Sequence, residues 1–161
     1  MSKLTIAAEG DTHVIVTRRF AAKPEAVYRA HTEPKLIQQW LLGPDGWTMP
    51  VCINEARPGG KIRYEWSNGK GGDFSVTGQY VELTPFSRLV HIERMHMPSA
   101  TTPDNRVVTE FAPDGTGTLM TMRMTLPDAK TRDGMLATGM ARGMEASYVR
   151  LETIQSASGK V

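Results

Sequence analysis

Leu119-Met120-Thr121-Met122-Arg123-Met124-Thr125-Leu126, then Pro127, then a run in which Leu136, Met140, Met144, Tyr148 and Leu151 recur about one helical turn apart, is the stretch that decides the fold. In its first half Met120, Met122, Met124 and Leu126 alternate with Thr121, Arg123 and Thr125, the period of a strand with one wholly apolar face. In its second half the apolar residues form a stripe, with Arg142, Glu145, Arg150 and Glu152 mostly on other faces, so the spacing predicts one long amphipathic helix beyond Pro127. These are the two long apolar faces available to pair, so Met122, Met124, Met140, Met144 and Tyr148 should meet across one apolar space.

Working outward, Val14 to Phe20 is β-branched and aromatic enough for a strand, and Pro24 stands where a helix takes its first residue. Ala26, Val27 and Ala30, then Leu36, Ile37, Trp40 and Leu41, continue at spacings of three and four, with Pro34 starting a second turn of chain; two short consecutive helices are predicted. After Gly43-Pro44-Asp45-Gly46 the text is strand-like, broken at Pro58-Gly59-Gly60, Asn68 to Gly72, Thr84-Pro85, Pro98 to Asp104 and Pro113-Asp114-Gly115. The Pro58-Gly59-Gly60 break should be a hairpin turn with at least one glycine at positive φ. The order is strand, two short helices, six antiparallel strands and long helix. It gives an α+β fold whose curved sheet wraps the terminal helix. At 161 residues, about 1.1 times a domain of 150, the chain is expected to be a single domain over 1–161.

Composition narrows the function. Hydrophobic residues make up 40% of the chain, enough for a core without disulfides or a structural metal. A net charge of +2 is too small for the field that recruits nucleic acid, so no nucleic-acid partner is expected. The single cysteine, Cys52, forms no internal disulfide and fits a reducing, cytoplasmic setting. No apolar run is long enough for a signal peptide or a membrane span, so no membrane partner is expected.

No motif for metal or nucleotide chemistry survives inspection. His31-Thr32-Glu33 has the His-x-Glu of a zinc deaminase but lacks the paired cysteines that hold the metal. Met95-His96-Met97 and the methionine stripe suit copper(I), yet methionine as an adaptable gap-filler explains them more simply. The four histidines, His13, His31, His91 and His96, have no metal spacing, and Asn68-Gly69-Lys70-Gly71-Gly72 is a turn, not a phosphate loop. No metal, cofactor or catalytic residue is therefore assigned. Glu65, Glu93 and Glu110, with Arg63, Arg94 and Arg123 nearby, suit cross-strand ion pairs on an outer face; a carboxylate facing a closed cavity would instead be a general base. Trp40, Trp47, Tyr64, Trp66, Tyr80 and Tyr148 with the methionine stripe suit either an ordinary filled core or a pocket for a hydrophobic molecule with one or two polar groups.

Thr17-Arg18-Arg19-Phe20, Pro24 to Ala30, Trp40 before Gly43-Pro44, Arg57-Pro58-Gly59-Gly60, Gly78 to Leu83 and Arg88-Leu89-Val90 together resemble the activator of heat-shock-protein ATPase homologues, a family of the START-like (SRPBCC) superfamily. The resemblance spans roughly residues 14 to 155. It implies a helix-grip fold, a curved antiparallel sheet grasping a long C-terminal helix with a cavity between them. Three positions depart from the family's pattern: Leu41 stands for a second aromatic, Ala56 for an aspartate before the Arg-Pro-Gly-Gly turn, and Gly143-Met144 for Gly-Trp. Together with the residue reading, this points to a binding protein for a hydrophobic, lipid-like or polyketide-like small molecule. The candidate ligand-binding residues are Trp40, Tyr64, Trp66, Tyr80, His91, Met122, Met124, Met140, Met144 and Tyr148. The alternatives are a cavity enzyme of cyclase or isomerase type, using Glu93, His91 or Tyr80 for proton transfer, and a chaperone-linked stress-response protein. Homodimer formation is left open.

Overall fold

The computed structural model describes residues 4–158. Two strands precede the first helix, β1 (Thr5–Glu9) and β2 (His13–Phe20). Two short helices follow, α1 (Pro24–Thr32) and α2 (Pro34–Trp40), each with its proline in the first turn, where the missing N–H costs nothing. The strands β3 (Thr48–Asn54), β4 (Lys61–Ser67), β5 (Phe74–Thr84), β6 (Arg88–Met97), β7 (Ala100–Thr101), β8 (Asn105–Asp114) and β9 (Gly117–Thr125) come next. Two helices end the described chain, α3 (Ala129–Leu136) and α4 (Met140–Ser158).

All pairings are antiparallel, in the order β1-β2-β9-β8-β6-β5-β4-β3, with the short β7 on β6. The helices pack on one face, and a single core cluster joins the inner residues of β2, β8 and β9 to Tyr148 and Leu151 of α4. The architecture is the helix-grip α+β fold. Met120 and Met124 are buried in that cluster, with Met122, Met140 and Met144 packed at its margin, so the strand stripe and the helix stripe do face each other.

Three expectations need correction. Seven strands, not six, follow the short helices, because the break at 98–104 holds the two-residue β7. The strand β1 precedes the one expected; Gly10, at φ 56, turns the chain so that Ile6 pairs with Val16. Third, the helix beyond Pro127 is two helices. Asp128 caps α3 by accepting from the Thr131 N–H at 2.7 Å, and Gly139, at φ 80, breaks the chain before Met140, which places Leu136 on α3.

The turn between β3 and β4 is as expected. Gly59 lies at φ 80, and a Cβ on Gly60 would overlap the Glu55 carbonyl oxygen. The turn is also stitched to β5, Gly59 N–H donating to the Tyr80 carbonyl and Tyr80 N–H to the Gly60 carbonyl, both at 2.9 Å.

Candidate functional site

The inner face of the sheet has two ends of different chemistry. At the β2–β9 end, Val14, Val16 and Phe20 leave one buried polar position in their alternation, Arg18, only 1% exposed. Its guanidinium reaches Glu145 at 3.3 Å and Glu152 at 3.0 Å, one turn-pair apart on α4, and lies 5.1 Å from the Phe20 ring centroid and 5.8 Å from that of Tyr148. Around it the aromatic rings fill the space. Trp40 stacks on Tyr148 at 5.5 Å, Phe20 meets Tyr148 edge-on at 5.5 Å, and His31 wedges in 4.9 Å from Trp40. Burial raises the Tyr148 hydroxyl well above its ordinary range, the Arg18 charge opposing this. The helix is pinned at its flank as well: Ser147 Oγ accepts from the Gly43 N–H at 2.8 Å, and Arg150 donates to the Gly43 carbonyl at 3.0 Å and to Asp45 at 3.2 Å.

At the β3–β6 end the inner face carries a polar group. Asn54 Nδ2 donates to the Tyr64 hydroxyl oxygen at 2.7 Å, and the Tyr80 hydroxyl donates to Asn54 Oδ1 at 3.0 Å. Beside them His91 Nε2–H donates to Glu93 Oε1 at 2.6 Å, and the ring of His91 lies 6.1 Å from that of Tyr80. Register explains the gathering. Tyr80 is opposite His91, and Glu93, Gly78, Ile62 and Asn54 form one row across four strands. Desolvation drives the Tyr64 hydroxyl well above its ordinary range, helped by the nearby Tyr80, Cys52 and Glu93, while the bond from Asn54 opposes it. Burial likewise pushes Tyr80 up to about 12 and the Cys52 thiol up to about 11. Both phenols therefore stay protonated at neutral pH as neutral hydrogen-bonding groups. The side chains of His91 and Glu93 remain 17% and 25% exposed, so this end of the face is reached from outside.

The ten residues nominated from sequence divide between these places. Trp40 and Tyr148 belong to the filled aromatic stack, and Met122, Met124, Met140 and Met144 to the core that continues it. Tyr64, Tyr80 and His91 stand in the polar group. Trp66 meets Tyr64 edge-on at 5.8 Å but belongs to a second cluster with Ile37, Met49 and Val76, its indole N–H donating to the Leu41 carbonyl at 2.7 Å. Of the three carboxylates expected on the outer face, Glu65 and Glu110 pair with Arg63 and Arg88, but Glu93 faces inward; this corrects that expectation, and its partner His91 two residues away is the signal.

Sequence reasoning missed Asn54, Cys52 and Asn105, whose inward placement depends on strand pairing. It missed Arg18 too, although a charge in the apolar phase of Val14, Val16 and Phe20 marks it. Among the described residues no group of three or more His, Cys, Asp or Glu side chains is placed to hold a metal. Two clefts open elsewhere on the surface. One of about 480 Å³ lies between α4 and the loop at Gly43 and Asp45, and one of about 300 Å³ lies near Arg63, Ser75 and His96.

A curved sheet gripping a C-terminal helix, with a polar group at one end of an apolar inner face, defines the helix-grip class, a fold consistent with ligand binding. Within it, the family described as Activator of Hsp90 ATPase homolog 1-like protein matches residues 21–155, and the chain belongs to that family. A crystal structure of a protein from Rhodobacter sphaeroides is 30% identical, with a TM-score of 0.89 over 96% of this chain and 99% of that one. The fold is shared with a protein from Nitrosomonas europaea, at 22% identity and a TM-score of 0.81 over 96% of this chain and 100% of that one. It is shared also with one from Mycobacterium smegmatis, at 16% identity and a TM-score of 0.83 over 94% and 96%. No curated protein matches the chain. No helix of the described residues is long and apolar enough to cross a membrane.

Proposed function

We propose that this protein is a single-domain, cytoplasmic binding protein for a hydrophobic small molecule, held between the inner face of the sheet and the C-terminal helix. The observation that carries the reading is the convergence of the Tyr64 and Tyr80 hydroxyls on Asn54, next to the part-exposed His91–Glu93 pair, on a face whose other strand positions are mostly apolar. A folded chain gains little from placing so many polar groups on an inner face, because each must be satisfied there; a ligand with an apolar body and a polar end uses both parts. The half-buried Met122, Met140 and Met144 border the apolar side, and methionine re-packs around varied shapes.

Native mass spectrometry of protein purified from its own host tests the reading: an apolar compound should co-purify. Met144→Trp should then weaken binding of an apolar dye while leaving the thermal midpoint unchanged or raised. A lowered midpoint with undiminished dye binding would count against Met144 bordering a binding space.

One observation favours a second reading. The short His91–Glu93 bond orients an imidazole beside two protonated phenols, the arrangement a proton-transfer enzyme needs. If the co-purifying compound is turned over, and His91→Asn abolishes turnover but retains binding, catalysis takes precedence.

A further inference from the structure

We propose that the polar end of the inner face selects ligands that present a hydrogen-bond-donating hydroxyl and turns away carboxylates; this rests on the ligand-binding reading above. The argument is a count of donors and acceptors. Asn54 donates one amide N–H to Tyr64 and accepts from Tyr80 at its carbonyl. Tyr64 accepts that bond, so its own O–H is left over as a donor, beside the second amide hydrogen of Asn54. Toward Glu93 the unpaired groups are acceptors. His91 occupies only Oε1 of Glu93, and among the described residues no side chain or N–H donates to the other carboxylate oxygen.

Directly opposite Glu93 across the β6–β8 pairing stands Asn105, 4% exposed, whose Oδ1 is shut off from solvent and has no hydrogen-bond partner. A buried acceptor left unpaired is costly, and opposed side chains on paired strands lie about 5 Å apart, within reach of one ligand group. On the other side of Glu93 the row continues through Gly78, which contributes no side chain, so nothing on β5 stands between Glu93 and Ile62.

Charge points the same way. Among the described inner-face strand positions the one lysine or arginine is Arg18, and it is already held by Glu145 and Glu152 at the opposite end. An incoming carboxylate would meet the Glu93 charge with no free cation to offset it. A hydroxyl, by contrast, donates to Asn105 Oδ1 or to the free Glu93 oxygen, replacing the water hydrogen bond it gives up on entering.

Three probes of one shape separate these cases: 2-naphthol, which donates; 2-methoxynaphthalene, which cannot; and 2-naphthoate, which is anionic. Each is titrated against Nile red bound to the purified protein. 2-Naphthol should displace the dye at roughly tenfold lower concentration than its methyl ether, with 2-naphthoate weakest. Asn105→Leu should shrink the gap between naphthol and its ether, and Glu93→Gln should tighten 2-naphthoate by about tenfold. A cooperative thermal transition certifies each variant's fold, and Glu93→Gln alone carries the test if the Asn105 variant does not fold. Equal displacement by naphthol and its ether, or tightest displacement by naphthoate, overturns this inference while leaving the binding reading intact. Failure of Nile red and every probe to bind overturns both.

Discussion

His31 is the residue whose environment makes the sharpest solution prediction. Its Nδ1–H donates to the Val27 carbonyl at 2.7 Å, while Nε2 is closed off without a partner among Trp40, Phe111 and Tyr148. Desolvation lowers its pKa from 6.5 to about 4, the bond to Val27 opposing. A base whose folded pKa is depressed is protonated first in the unfolded chain. Stability from this group is therefore complete above pH 6.5 and drains away as pH falls through 4, by about 3 kcal/mol in all. His31→Phe should flatten the fall of thermal midpoint between pH 7 and pH 4.5 relative to the parent; parallel profiles would show that His31 is not the titrating group. At this scale the sequence is only partly legible. Tyr64, Tyr80 and His91 could be named because aromatic and imidazole side chains are conspicuous. Asn54 and Asn105 could not, because an asparagine near a strand end reads as a turn until its register partner, Ile62 or Glu93, is known.

The C-terminal helix meets the sheet through charge as well as through its apolar stripe. Arg18 lies buried between Glu145 and Glu152, and removing both carboxylates strands a cation where water does not reach it. The Glu145→Gln, Glu152→Gln double variant should lose about 3 kcal/mol in urea denaturation, each single variant less, since the remaining, partly exposed glutamate still neutralises the arginine. Arg18→Met in the double variant should recover much of that loss. The β3–β4 turn makes a separate prediction. Gly60→Ala forces a Cβ into the Glu55 carbonyl and should lower the thermal midpoint, whereas Gly143→Ala, on a helix face where a Cβ meets open space, should raise it by the equivalent of about 0.5–1 kcal/mol. The elements themselves were largely readable, because period-two and period-3.6 patterns survive in single segments: β2, β9, α1, α2 and the body of α4 lie where their spacing puts them. The strand β1 was not readable, since Ala7 and Ala8 carry no alternation. The α3–α4 break was hidden because Leu136 and Met140 stay in phase across a glycine.

Across the whole molecule, the pairings run far along the chain. The strand β2 binds β9, with Phe20 opposite Thr118 and His13 opposite Thr125, and α4 then closes over both. Such non-local sheets close large loops before they are rewarded, so refolding monitored by tryptophan fluorescence after denaturant dilution should fall in the millisecond-to-second range; microsecond refolding would contradict it. The same pairing governs how the protein is made. At a synthesis rate of about 5–20 residues per second, Phe20 leaves the ribosome some five to twenty seconds before its partner strand exists. Throughout that interval the apolar side of β2, with Arg18 lacking both its glutamates, has nothing to cover it. The nascent chain is thus an open sheet edge awaiting its last third, and it is the newborn protein, not the finished one, that most needs shielding from its neighbours.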